Sequence, residues 1–174
     1  METNVVLVGF SGAGKSTLGK QAAPLLGLRF VDLDHYIEQK LQYSVPQLFS
    51  QFGELVFRKC EYDALQELLE EDGQLIAVGG GAPCYAQAMP LILERSLSVY
   101  VKLSEEVLVN RLAHSKKRRP LTVDLSDDEL RRYVHETLQR RAPYYEQAHL
   151  IIERDDLTPE ALAEAIRKRL NTSS

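Results

Sequence analysis

NVVLVGFSGAGKST, residues 4–17, joins a short apolar run rich in β-branched residues to a helical pattern through a glycine-rich turn. Within it, Gly9, four intervening residues, Gly14, Lys15 and Ser16 complete the spacing G-x-x-x-x-G-K-[ST]. A buried strand feeding a helix through such a loop gives that spacing a mechanism. Backbone N–H groups and the helix N-terminus can point at phosphate oxygens, and glycine lets the chain come close to them. Gly12, Ala13, Gly14, Lys15, Ser16 and Thr17 are thereby expected to hold the phosphates of a nucleotide, with Lys15 reaching the β and γ groups and Ser16 ligating Mg²⁺. The stretch alone leaves open whether the nucleotide is hydrolysed as a switch or gives a phosphoryl group to an acceptor.

Outward from this loop, strand-like runs recur at 29–31, 74–78, 98–101 and 149–152. Helical patterns fall between them at about 34–41, 53–71, 84–94, 104–113, 127–147 and 159–170. The first helix is expected from Lys15 to about Leu26, kinked or shortened by Pro24, and Thr158 followed by Pro159 reads as an N-cap with the preferred first helical residue. The alternation predicts an α/β fold, a parallel sheet covered by helices on both faces. Ligands then lie beyond the carboxyl ends of the strands. That rule selects 9–17, 32–34, 79–81 and the segment after Val101 as the rim of the site. The run SKKRRPLTVD, 115–124, breaks the periodicity with four consecutive basic residues and reads as a mobile loop.

A chain of 174 residues suits one well-buried domain. Its net charge of −4 argues against a general nucleic-acid binder. Nine Lys/Arg against five Asp/Glu between Arg111 and Arg141 nevertheless concentrate positive charge there, as a solvated helix face or an anionic ligand would require. Cys60 and Cys84 show no metal-ligand spacing and read as reduced thiols of a cytoplasmic protein. No run approaches the roughly 20 apolar residues of a membrane span. No exposed apolar stripe is evident, so a monomer is the default expectation.

Four further groups carry chemistry. Asp32 and Asp34 end the second strand, where one carboxylate can serve Mg²⁺ and another can accept a hydrogen bond from an attacking hydroxyl. Asp34 could instead cap the helix beginning at His35. Arg58 lies within about 60° of Leu55, Tyr62, Leu65 and Leu69 on a helix, in an apolar stripe where a guanidinium needs an anionic partner. Glu54 and Glu61, on the same helix, offer an internal ion pair. Arg141 falls in the stripe of Leu130, Val134 and Leu138. Two such arginines suggest one pocket for a carboxylate, or else two unrelated ion pairs. Gly79, Gly80 and Gly81 follow a strand and can present backbone N–H groups to a ligand. Arg119, before Pro120, could neutralise charge on a phosphoryl group in transfer.

Together GFSGAGKST (9–17), the DxD of Asp32 and Asp34, FRKCE (57–61), the GGG of 79–81, the RPL of 119–121 and RRAPYY (140–145) resemble shikimate kinases in order and spacing. The resemblance implies a P-loop fold of the nucleoside-monophosphate-kinase type, with a five-stranded parallel sheet. It implies one kinase domain over 1–174, with a lid at about 112–124 and a substrate-binding helical region at about 34–61. The implied reaction is Mg-ATP-dependent transfer of the γ-phosphoryl group to the 3-hydroxyl of shikimate. Lys15, Asp34 and Arg119 would be catalytic, and Ser16 and Asp32 would serve the metal. Asp34, Arg58, Glu61, Gly79, Gly80, Gly81 and Arg141 would hold shikimate. Phe49 and Phe57 would pack its ring or simply the core. Arg111 and Pro159 lie where such proteins hold adenine, a second adenine-stacking arginine has no match, and Thr122 stands where a leucine is frequent. The rival readings are a kinase for another hydroxy acid such as gluconate, discriminated by the DxD, Arg58 and Arg141, and a silent binding paralogue.

Overall fold

The computed structural model describes residues 3–115, 122 and 124–172. Five strands form one parallel sheet: β1 (Asn4–Val8), β2 (Arg29–Asp32), β3 (Gln74–Ala77), β4 (Ser96–Lys102) and β5 (Leu150–Glu153), in the spatial order β2-β3-β1-β4-β5. The central strand β1 pairs with β3 in the register Val6 to Ile76 and with β4 in the register Val6 to Ser98. All its residues are buried, as a strand covered on both faces requires.

Alternate β1 side chains enter opposite layers. Val6 and Val8 join Ile76, Val78 and Tyr100 beneath α2 (Leu33–Leu41), α4 (Glu54–Leu68) and α5 (Ala88–Arg95). Val5 and Leu7 join Leu75, Leu97 and Val99 against α1 (Lys15–Leu26) and α8 (Pro159–Asn171). A third cluster, with Phe10, Ala13 and Val101, lies against α6 (Glu105–Ala113) and α7 (Asp127–Tyr145) and so supports the glycine loop from below.

Several expectations needed correction. Helix α1 ends at Leu26, where its pattern was expected to end, but Pro24 does not shorten it: Gly27, with φ 69° and its N–H bonded to Pro24 O, closes it. Pro24 sits in the last turn, where its missing N–H costs one bond and does not end the helix. An additional helix, α3 (Val45–Phe52), precedes α4. Its signal was readable: Ser44 and Gln47 form a capping box with Pro46 in the first turn. The expected helix at 84–94 divides into a 3₁₀ turn, Ala82–Cys84, and α5. Leu55, assigned to the apolar stripe of Arg58, is 79% exposed, while Leu65 and Leu69 are buried. Tyr43, Phe52 and Val56 are exposed as well, so an apolar surface exists where none was expected.

No described helix is long and apolar enough to cross a membrane.

Candidate active site

At the carboxyl end of β1 the chain turns at Gly14, whose φ of 83° is accessible to glycine at little cost, and enters α1 with no side-chain cap. The first N–H groups of α1 therefore face the loop's concave side. Lys15 is buried and donates to the carbonyls of Gly9 (2.6 Å) and Phe10 (2.8 Å), so its ammonium is folded back under the loop. From α6, Arg111 reaches the same loop with Nη1 at 3.4 Å from Gly12 O.

Asp32 Oδ1 accepts the N–H of His35 at 3.1 Å and caps α2. The cap expected of Asp34 thus belongs to Asp32, because the helix begins at Leu33 and puts Asp34 in its first turn. The other oxygen of Asp32 accepts the Ser16 hydroxyl. Ser16 and Asp32 therefore meet at the exit of the phosphate loop, and both offer the hard oxygen donors that Mg²⁺ favours. No group of three or more His, Cys, Asp or Glu suited to a metal occurs among the described residues.

The three glycines after β3 are spacers between the two halves of the site. A Cβ on Gly80 would lie 2.9 Å from Ser11 N of the phosphate loop and 2.9 Å from Arg141 Nη1; one on Gly81 would lie 2.3 Å from Arg58 Nη2. A Cβ on Gly79 would come within 3.1 Å of Glu61 Oε2 and 3.7 Å of Asp34 Oδ1. Asp34, Glu61, Arg58 and Arg141 thus converge on one backbone segment. Arg58 and Arg141 line a common cleft of about 310 Å³ with Glu54, Leu55, Gly81, Cys84 and Tyr85.

The two arginines are not equivalent. Arg58 Nη1 bonds Glu61 Oε1 at 2.8 Å and Nη2 lies 3.7 Å from Glu54 Oε1, so the internal ion pair and the shared cleft are both present. Arg141 has no carboxylate within ion-pair distance among the described residues. Its guanidinium lies 5.8 Å from the Phe10 ring centroid. Glu61 is buried, and desolvation raises its carboxyl to about 7 against the opposing pull of Arg58. Burial likewise pushes the Cys84 thiol up to about 11, leaving a neutral wall to the cleft.

Phe57 and Phe49 pack 4.7 Å apart within the core layer, and the Arg58 guanidinium sits 5.3 Å from the Phe57 ring centroid. Neither ring lines the cleft. Pro159 opens α8 behind the Thr158 cap, as expected, and Arg154 pairs with Asp156 at 3.2 Å. Thr17 is exposed in the first turn of α1. The catalytic assignment of Arg119 and the central part of the expected lid lie outside the described residues.

Two features escaped the sequence reading. Asp155 grips Ser104 through both its N–H (2.8 Å) and its hydroxyl (2.9 Å), tying the start of α6 to the loop after β5. Tyr145 is fully buried and donates its hydroxyl to Gly80 O. RRAPYY displays that tyrosine, but its aim depends on which residue of the glycine run faces α7, and nothing local reports that.

A parallel 2-3-1-4-5 sheet, a phosphate loop after its central strand and an adjoining cationic cleft define a P-loop phosphotransferase of the nucleoside-monophosphate-kinase type. A family model described as shikimate kinase matches residues 11–171. The shikimate kinase of Parabacteroides distasonis is 41% identical, with 90% of this chain and 91% of that protein covered. A crystal structure of the shikimate kinase from Bacteroides thetaiotaomicron superposes with a TM-score of 0.92 at 35% identity, covering 98% of this chain and 99% of that one. The shikimate kinase from Acinetobacter baumannii in complex with shikimate gives 0.90 at 32% identity, covering 100% and 96%. The chain belongs to the shikimate kinase family.

Proposed function

We propose that the protein transfers the γ-phosphoryl group of ATP to the 3-hydroxyl of shikimate, releasing ADP, shikimate 3-phosphate and a proton. The observation that carries this reading is the meeting of Arg58 and Arg141 at Gly80 and Gly81, one residue's width from Ser11 of the phosphate loop. A planar carboxylate suits two forked guanidinium donors. A ligand held there presents its ring hydroxyls toward Asp34.

In this reading Asp34 accepts a hydrogen bond from the attacking hydroxyl and receives its proton, little of which must move before transfer in a loose transition state. Lys15 leaves its carbonyl partners for the β and γ phosphates, and Arg111 and Pro159 flank the nucleobase. Glu61 holds Arg58 in register, and Gly79 to Gly81 admit the substrate to the backbone. Ser16 and Asp32 would hold Mg²⁺, which supplies charge neutralisation on the phosphates when bound. Arg119 adds a further cation on the transferred group. The lid at 112–124 and the helical region at 34–61 belong to this single kinase domain. A cytoplasmic location accords with the unbridged Cys60 and Cys84.

Purified protein with Mg-ATP and a panel of hydroxy acids, including shikimate and gluconate, tests the reading by ADP release. Shikimate-dependent ADP formation with one phosphate gained by shikimate is expected. ATP binding without stimulation by shikimate would overturn it.

A further inference from the structure

Each carbonyl of the glycine run has a separate partner. Gly79 O accepts Ala82 N at 3.2 Å and Gly81 O accepts Cys84 N at 3.1 Å, which closes the 3₁₀ turn. Gly80 O points the other way and accepts the Tyr145 hydroxyl. Tyr145 is 0% exposed, its ring lies 5.1 Å from that of Tyr100, and burial pushes its phenol up, so it remains a donor. The Gly81 N–H has no acceptor among the described residues.

A trans peptide sets its C=O and N–H antiparallel in one plane. The Gly80 carbonyl and the Gly81 N–H belong to the same peptide. Anchoring the carbonyl in the core against Tyr145 therefore turns the Gly81 N–H away from the core, to the side on which Gly81 borders the cleft. With no side chains to restrain it, a run of three glycines would otherwise sample several orientations of this peptide. Tyr145 also stands one helical turn after Arg141, whose Nη1 faces Gly80. The last turn of α7 thus holds the glycine run through the buried Tyr145 hydroxyl, and the Arg141 guanidinium lies beside both that hydroxyl and Gly80.

We propose that Tyr145 is a positioning residue of the acceptor cleft, which fixes the Gly80–Gly81 peptide so that the Gly81 N–H is a standing donor to the carboxylate held by Arg58 and Arg141. The proposal rests on the reading of the cleft as the acceptor site. It assigns to α7 a second role beyond carrying Arg141: preorganisation of a backbone donor, which spares the ligand the cost of ordering the loop.

The test is Tyr145→Phe, with Tyr100→Phe as a control that removes a hydroxyl from the same ring pair without touching Gly80. Wild-type ADP release with shikimate establishes the acceptor reading independently. Tyr145→Phe is then expected to weaken shikimate about tenfold by calorimetry, since a buried carbonyl is left unpaired and the donor is released. ATP affinity should be unchanged, and Tyr100→Phe should leave both affinities as they were. In a protein labelled with ¹⁵N-glycine, the Gly81 amide should lose its shikimate-induced shift only in Tyr145→Phe. Unchanged shikimate affinity in Tyr145→Phe, or equal losses of ATP and shikimate affinity, would overturn the proposal. So would an equal effect of Tyr100→Phe, which would reduce Tyr145 to core packing.

Discussion

Arg58 Nη1 donates to Glu61 Oε1 at 2.8 Å, while Oε2 of the same buried carboxylate accepts nothing among the described residues. The guanidinium is therefore held closely by the buried Glu61 and more loosely by Glu54, 3.7 Å from Nη2, where it borders the cleft. Arg58→Lys retains the charge and loses the fork, so one ammonium cannot serve Glu61 and a ligand carboxylate together. The expected result is a rise of about 10- to 100-fold in the shikimate KM with little change in the ATP KM. Steady-state kinetics with each substrate varied in turn checks it, and an unchanged shikimate KM would remove Arg58 from acceptor binding.

Glu61 itself gives a pH dependence. Its carboxyl lies at about 7 in the folded protein, above the ordinary 4.5, because burial outweighs the attraction of Arg58. A carboxyl raised by folding stabilises the native state fully below pH 4.5 and gives up that contribution as pH rises through about 7. The amount at stake is on the order of 3 kcal/mol. Glu61→Gln removes the titration. Denaturant unfolding of the ligand-free protein should show the wild type losing stability relative to Glu61→Gln between pH 5 and pH 8. Parallel curves for the two proteins across that range would count against it.

The glycine run separates two effects by the atoms a methyl would strike. At Gly81 the three atoms nearest the new carbon all belong to the end of the Arg58 side chain, which can swing aside. Gly81→Ala is expected to keep its fold and ATP affinity while losing shikimate affinity through the displaced guanidinium. At Gly80 the methyl meets Ser11 N, a backbone atom of the phosphate loop, and Arg141 as well. Gly80→Ala should therefore weaken ATP and shikimate together. Calorimetric titration of both variants with each ligand distinguishes the patterns.

Much of this organisation was legible because it depends on local rules. The strand–loop–helix around Gly14, the alternation of elements and the Thr158 cap all follow from spacing and residue type, and the structure reproduces them. The convergence of Arg58 and Arg141 was legible in outline, since a charge in an apolar stripe needs a partner. What the stripe could not show was the difference between them. Only the fold reveals that Glu61 is turned inward on Arg58 while Arg141 lies beside Phe10 with no carboxylate in ion-pair range among the described residues. Leu55 was misplaced for a related reason. Helical periodicity reports direction around the axis and not how far along it the core extends, and α4 begins beyond the core. The contacts of Tyr145 and Asp155 join segments far apart in sequence, so no window of neighbours contained them.

Asp155 supplies the last prediction. Its two oxygens take the N–H and the hydroxyl of Ser104, and Ser104 in turn caps α6 through Val107 N at 3.4 Å. Helix α6 carries Arg111 to the phosphate loop, and the loop holding Asp155 leads through Leu157 to Pro159. Leu157 packs on the cluster beneath the phosphate loop, so both walls of the proposed nucleobase site share one footing. Asp155→Ala cuts the tie between those walls without removing any group from the acceptor cleft. Because the tie is exposed, its loss should be modest, raising the ATP KM about three- to tenfold. The shikimate KM should stay as it is. Binding of inorganic tripolyphosphate, which has no base, should be unaffected by Asp155→Ala, whereas a tripolyphosphate affinity reduced as much as that for ATP would show that the phosphate loop itself had been disturbed.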